Sequence, residues 1–177
     1  IAAFKLLKLQ NGVTFQASSD FELRDISQTL GPKVDIRIAE DIGSKDFAEP
    51  SHERQSNTLR AVFVSRISPI KNLLMALEST RNIKHPFIYH VYGPIQDISY
   101  WEQCQRVIET LPTHITIEYK GPLNPADVVA TMSKYDVFYL PTKGENYGHV
   151  IAEALCAALP LVISDTTPWR NLKEQGI

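Results

Sequence analysis

The chain has 177 residues, of which 44% are hydrophobic and 21% charged, a balance that allows one domain with a real core and excludes a disordered chain. Lys and Arg number 18 against 20 Asp and Glu, a net charge of -2, so no bulk field draws the protein onto nucleic acid or an anionic membrane. The two cysteines, Cys104 and Cys156, are too few for a disulfide scaffold. No apolar run approaches the roughly 18 residues that span a bilayer, and the opening IAAFKLLKLQ lacks the length and cleavage pattern of a signal peptide. A cytoplasmic protein is the expectation.

In chain order, residues 13–18 (VTFQAS) read as a strand, Ser19 and Asp20 as the cap of a helix over 21–30, and residues 34–38 (VDIRI) as a second strand. Residues 41–57, with Gly43, Pro50 and many polar side chains, read as a linker or flexible surface loop. From Leu59 onward short apolar runs alternate with helical patterns. The runs 59–64, 87–92, 115–119, 137–140 and 161–164 are rich in β-branched and aromatic residues and have the length of strands. Ile70, Leu73, Leu74 and Leu77 recur at helical spacing, as do Trp101, Cys104, Ile108 and Leu111, so each set predicts one buried helix face. Asn124 before Pro125 predicts a helix start, and Thr167 before Pro168 predicts a last helix ended by Gly176. Strict β-α alternation predicts a Rossmann-like α/β fold, a parallel sheet with helices on both faces. Ligands then bind beyond the carboxyl ends of the strands, in the loops after Val64, Tyr92, Tyr119 and Leu140.

Two of those loops hold candidate chemistry. The pattern HVIAEALCAAL, residues 149–159, is apolar nearly all round and contains one charge, Glu153. Burying an unpaired carboxylate costs several kcal/mol unless donors meet it, so Glu153 reads either as an internally paired or exposed side chain or as a ligand-binding one. Glu145 lies eight residues earlier in the loop PTKGEN, just before Gly148 where the helix should start. Open helix amides bind anions, and glycine there lets a ligand approach the backbone. Together the two carboxylates and the helix end suit a ligand carrying hydroxyls and phosphates. The other loop, SRISPIKN, places Arg66 and Lys71 after the first long strand, with Lys71 expected at the start of the next helix. Two such cations either converge on a diphosphate or are ordinary solvated side chains.

S-R-I-S-P-I-K-N followed by G-E-N-Y-G-H-V-I-A-E-A-L resembles the retaining glycosyltransferases of family four, the glycosyl transferases group 1 class. The resemblance implies the C-terminal, donor-binding half of a two-lobed glycosyltransferase-B fold. It runs from about Leu59 to the end of the chain. Its Glu-x7-Glu motif falls on Glu145 and Glu153, and its diphosphate-binding pair on Arg66 and Lys71. It implies that Glu145 contacts the donor sugar together with the backbone at Asn146, Tyr147 and Gly148. Glu153 would hold the ribose, and Arg66 and Lys71 would neutralise the leaving diphosphate. Gly93, in VYG, and Gly121 and Leu123, in YKGPL, would border the base. The family usually has Gly where this chain has Ala158, a change expected to affect packing more than donor contacts.

The same resemblance implies a domain plan. Residues 1–40 would be a remnant of the N-terminal lobe, 41–57 a linker, and 58–177 a nucleotide-sugar-binding domain truncated at its end. The parent enzyme would transfer sugar from a UDP-, GDP- or ADP-sugar, with retention, in bacterial polysaccharide or glycolipid biosynthesis. Its other expected partners are the missing N-terminal lobe and a lipid-linked acceptor, with the full-length protein peripheral at the inner membrane face. The donor is a substrate, and no cofactor is expected.

Other classes remain open at this level: a sugar-nucleotide epimerase of the same fold, or a non-catalytic nucleotide-binding module. No G-x-G-x-x-G follows a strand and no G-x-x-x-x-G-K-[ST] occurs, which argues against dehydrogenase and kinase-type chemistry. His52, His85, His90, His114 and His149 are scattered, so no metal site is expected. His149 is open to a phosphate contact or a capping role.

Overall fold

The computed structural model describes residues 2–39, 41, 47–48 and 57–175. The chain packs as two units. The first comprises Ile1–Ile42, Glu145–Gly148 and Thr167–Ile177, the second Gly43–Gly144 and His149–Thr166. The linker expected over 41–57 lies mostly outside the described residues.

In the first unit, α1 (Ala2–Leu6) precedes β1 (Thr14–Ala17), α2 (Asp20–Leu30) and β2 (Asp35–Ile38). Strands β1 and β2 pair in parallel, with Thr14 opposite Asp35 and the Thr14 hydroxyl donating to the Asp35 carboxylate at 2.6 Å. The start of α2 follows from its sequence. Ser19 is extended, and its Oγ accepts from the Glu22 N–H, while the Glu22 carboxylate reaches back to the N–H and hydroxyl of Ser18 at 2.8 and 2.7 Å. This reciprocal arrangement satisfies amides that the helix itself leaves without partners.

The second unit holds β3 (Leu59–Val64), α3 (Leu73–Thr80), β4 (Phe87–Tyr92), α4 (Ile98–Ile108), β5 (Ile115–Gly121), α5 (Val128–Met132), β6 (Val137–Leu140), α6 (His149–Cys156) and β7 (Leu161–Ile163). The five strands form one sheet in the order β5-β4-β3-β6-β7, every pair parallel. The expected α/β parallel sheet is therefore present. Right-handed crossovers dictate where the helices go. The steps β3 to β4 to β5 run outward one way and carry α3 and α4 on one face. The return to β6 and the step to β7 run the other way and carry α5 and α6 on the opposite face. The contacts agree, since α3 packs on α4 and α5 on α6. The core is filled by fully buried Val62, Phe63, Leu73, Leu77, Tyr89, Val91, Met132, Phe138, Leu140 and Ile151. The Tyr89 hydroxyl, buried among them, donates to the Tyr139 carbonyl at 2.7 Å.

Several local expectations are corrected. Ile70 and Lys71 lie ahead of α3, and Ile70 is 47% exposed rather than buried. The helix begins later because Asn72 adopts a left-handed conformation, φ 58°, and its amide donates to the Pro141 carbonyl at 3.0 Å. The helix predicted at Asn124-Pro125 opens as a 3-10 turn, Pro125–Asp127, before α5. Behind Pro168 the described residues form only a 3-10 turn, Leu172–Gln175. Tertiary contacts hold the preceding segment out of a helix, for the Trp169 indole N–H bonds the Tyr147 carbonyl at 2.6 Å and Arg170 lies 4.4 Å from the Phe21 ring centre. Gly176 is outside the described residues. Helix α6 stops at Cys156 rather than continuing to Leu159, because Ala158 turns left-handed at φ 54°.

Candidate functional site

The sheet order reverses between β3 and β6, and α/β sheets generally bind ligands beyond the carboxyl ends of the strands at such a switch point. Residues 65–72 follow β3 on one side of it and residues 141–144 follow β6 on the other. The two loops are tied together. The Ile70 carbonyl accepts from the Lys143 N–H at 2.8 Å and from the Thr142 hydroxyl at 3.2 Å. Thr142 is in turn fixed from β7, since its carbonyl accepts from the hydroxyls of Ser164 and Thr166. The loop bearing Arg66 and Lys71 is thus hydrogen-bonded to the loop after β6 at the switch point.

Arg66 is exposed and lines a pocket of about 690 Å³ together with Ser68, Ile70, Gln96, Asp97 and Ile98. Lys71 is half-buried in the turn before α3, its N–H bonded to the Ser68 carbonyl at 3.0 Å. Asp97 caps α4, accepting from the Tyr100 N–H and the Ser99 hydroxyl, and these bonds hold its carboxyl below the usual carboxylate range. Ser68, Gln96 and Asp97 were not among the sequence-level candidates.

Gly93 and Gly121 meet at the ends of β4 and β5, where the Gly93 N–H donates to the Gly121 carbonyl at 3.0 Å. The Tyr119 hydroxyl donates to the Gly93 carbonyl at 2.9 Å. Gly93 is buried at φ 132° against the Ser65 backbone, so it joins β3 to β4 by close approach. Gly121, at φ 78°, and the half-buried Leu123 stand on the opening of the β5 loop, with open space beside Gly121.

Glu153 lies in the middle of α6 and is half-buried, less enclosed than the apolar helix pattern predicts. Desolvation raises its pKa above the ordinary glutamate value, opposed by the nearby His149. Its charged form therefore gains from a hydrogen-bond donor.

Glu145, Asn146, Tyr147 and Gly148 belong to the first unit, not to the one holding the other candidates. Asn146 is engaged there through both its polar ends. Its side-chain amide donates to Glu22 at 2.8 Å, and its carbonyl accepts from the Ser19 hydroxyl at 2.6 Å. Tyr147 packs edge-on to Trp169 with ring centres 5.7 Å apart. Glu145 is half-buried and Gly148 is buried at φ 85°. Sequence reading missed Ser19, Glu22 and Trp169 as the partners of this segment. Among the described residues no group of three or more His, Cys, Asp or Glu is placed to hold a metal ion, and no helix is long and apolar enough to cross a membrane.

Comparison with solved structures gives the same fold. WaaG, a glycosyltransferase involved in lipopolysaccharide biosynthesis, superposes with a TM-score of 0.71 at 13% identity, covering 90% of this chain and 46% of WaaG. HepE of Anabaena, solved with UDP and glucose, gives 0.72 at 16% identity over 86% of this chain and 44% of its own. A glycosyltransferase from Rickettsia africae gives 0.68 at 17% identity over 95% and 49%. The chain thus spans less than half the length of each of these structures. Among curated proteins none matches. The family described as glycosyl transferases group 1 matches residues 44–175, the stretch that carries the whole five-stranded sheet, and the chain belongs to that family.

Proposed function

We propose that the chain is the donor-binding part of a glycosyltransferase that moves a sugar from a nucleotide-diphosphate sugar to an acceptor with retention, in polysaccharide or glycolipid biosynthesis. The observation that carries this reading is the switch point between β3 and β6, where the loop of Arg66 and Lys71 is hydrogen-bonded to the loop after β6 and Arg66 lines a pocket. HepE, solved with UDP-glucose, supports a nucleotide-sugar donor.

In this reading Arg66 and Lys71 hold the diphosphate and stabilise the charge that builds on it as the glycosidic bond breaks. No metal is then required, because two preorganised cations supply that stabilisation. Glu153 accepts hydrogen bonds from the ribose hydroxyls, which offset the desolvation that raises its pKa. Glu145 and the backbone of Asn146, Tyr147 and Gly148 position the transferred sugar. Gly93, Gly121 and Leu123 border the base of the donor, a UDP-, GDP- or ADP-sugar. The acceptor, lipid-linked at the inner face of a bacterial membrane, is held by a further N-terminal lobe of which residues 1–40 are part, and the active enzyme works from the cytoplasm.

The test is product analysis with a protein that carries both lobes, offered a panel of sugar nucleotides and acceptors. Release of nucleotide diphosphate with formation of a glycoside of unchanged anomeric configuration is expected. An epimerised nucleotide sugar, or no turnover with any donor, overturns the reading.

A further inference from the structure

Beyond the last residue of β3 the chain bends at Ser65, and Ile67 bridges in parallel to Ile95 of the following β4 loop. The Ile67 N–H bonds the Pro94 carbonyl at 2.9 Å, and the Gln96 N–H returns to the Ile67 carbonyl at 3.1 Å. Ile67 is fully buried, while Arg66 and Ser68 on either side of it, and Gln96 after Ile95, border open space. All three line the same 690 Å³ pocket.

Ser68 is the anomaly in that pocket. It is 5% exposed, and its hydroxyl oxygen is buried without a hydrogen-bond partner. Buried polar side-chain atoms without a partner are uncommon in native proteins, and each calls for a reason. The Ser68 carbonyl takes the Lys71 N–H, whereas its hydroxyl finds no partner within the protein. Arg66 and Gln96 at the exposed rim present further N–H donors toward the same space.

We propose that Ser68, with Gln96, is a substrate-positioning residue of the donor site: its hydroxyl donates to the phosphate oxygen paired with Arg66. The inference rests on the reading of Arg66 as a diphosphate ligand and adds two neutral donors to it. A charge-assisted hydrogen bond from a buried hydroxyl is short and directional, so Ser68 fixes one phosphate oxygen at the pocket floor while Arg66 closes over it from the rim. The Asp97 carboxylate on the same wall does not forbid this. It is bonded to the Tyr100 N–H and the Ser99 hydroxyl, at the helix end whose dipole is positive. Ile70 and Ile98, 47% and 71% exposed, flank the mouth and would shed water when the pocket fills.

The experiment titrates UDP, uridine and inorganic pyrophosphate into the wild-type chain and into Ser68→Ala, Gln96→Ala and Arg66→Ala, with a thermal melt of each. Ser68→Ala is expected to weaken UDP and pyrophosphate by about tenfold or more and to leave uridine unchanged. Its Tm should stay the same or rise, because the substitution removes a buried group that has no partner. Gln96→Ala, at an exposed position, should show a smaller loss of the same selectivity. If either folded variant binds UDP as tightly as wild type, the inference is overturned. If that happens while Arg66→Ala still loses UDP, the diphosphate reading of Arg66 survives alone. Wild-type chain that binds pyrophosphate but not UDP, with the loss on Ser68→Ala retained, keeps the phosphate subsite and sinks the nucleotide reading. Binding of neither ligand overturns both.

Discussion

Gly93 and Ser65 approach so closely that a Cβ on Gly93 would lie 1.9 Å from the Ser65 carbonyl oxygen. The obstacle is backbone, which cannot swing aside as a side-chain tip can, and the φ of 132° is itself strained for any residue but glycine. Gly93→Ala should therefore separate the ends of β3 and β4 and cost about 3 kcal/mol or more. A urea titration followed by far-UV circular dichroism checks this. A midpoint equal to wild type would mean that the two loops yield more easily than the close approach implies.

Arg66 and Lys71 should act on the diphosphate and not on the nucleoside. Replacing either with Ala is expected to weaken UDP by about 10- to 100-fold, the range for loss of a charged hydrogen bond, with uridine unchanged. Isothermal titration of the two ligands decides the matter, since an equal loss for both would place the cations elsewhere.

The raised pKa of Glu153 has a consequence for stability, and its sign is fixed. A carboxyl whose folded pKa lies above its unfolded value contributes stability that is present in full below the unfolded pKa and is lost as pH rises through the folded one. Glu153→Gln removes that loss. The variant should melt higher than wild type at pH 7, with the difference shrinking toward zero by about pH 4. In the same samples UDP binding should fall by about tenfold, as the ribose loses a charged acceptor. A variant that melts higher and binds UDP normally would leave Glu153 a merely tolerated carboxylate.

Ala158 occupies a left-handed position, φ 54°, immediately after α6, and is exposed. Alanine pays in steric strain there what glycine does not, and glycine's greater freedom in the unfolded chain recovers only part of the difference for alanine. Ala158→Gly should stabilise the protein by about 0.5–1 kcal/mol, read as a higher denaturation midpoint with UDP affinity unchanged.

The 177-residue chain alone should bind a sugar nucleotide without transferring the sugar. It spans less than half of WaaG and of HepE. Positioning of an acceptor and exclusion of water account for many kcal/mol of barrier lowering in enzymes generally. Calorimetry should show saturable binding, and a coupled assay for released UDP should stay at the uncatalysed rate. Repeated turnover by this chain would demand an acceptor site within it.

The strands of the sheet were legible because strands covered on both faces read as continuous apolar runs, as in LRAVFV and FIYHVY. The placing of Arg66 and Lys71 in the loop after β3 was legible for a related reason: that loop follows such a run. The start of α3 was not, because periodicity carries Ile70 into the helix whereas the left-handed Asn72 excludes it. The partners of Asn146 were beyond reach altogether. Ser19 and Glu22 stand 127 and 124 residues away in sequence, and no local pattern encodes a contact at that separation. Ser68 escaped because a hydroxyl in a loop carries no sequence mark. Only its burial without a partner singles it out.

Asn146 sits in a four-residue excursion, Glu145–Gly148, whose chain neighbours on both sides, Gly144 and His149, belong to the other unit. Covalent order and packing order therefore disagree at this point. Scissors applied at residue 57, where the sequence invites a domain boundary, would retain the excursion but discard Ser19 and Glu22, the side chains that bond its carbonyl and its amide. An expression fragment starting there would present Asn146 with both polar ends stripped and Tyr147 beside a loop no longer anchored. For cloning, the shorter piece is the less native one, because the leading β-α-β segment carries the partners of Asn146.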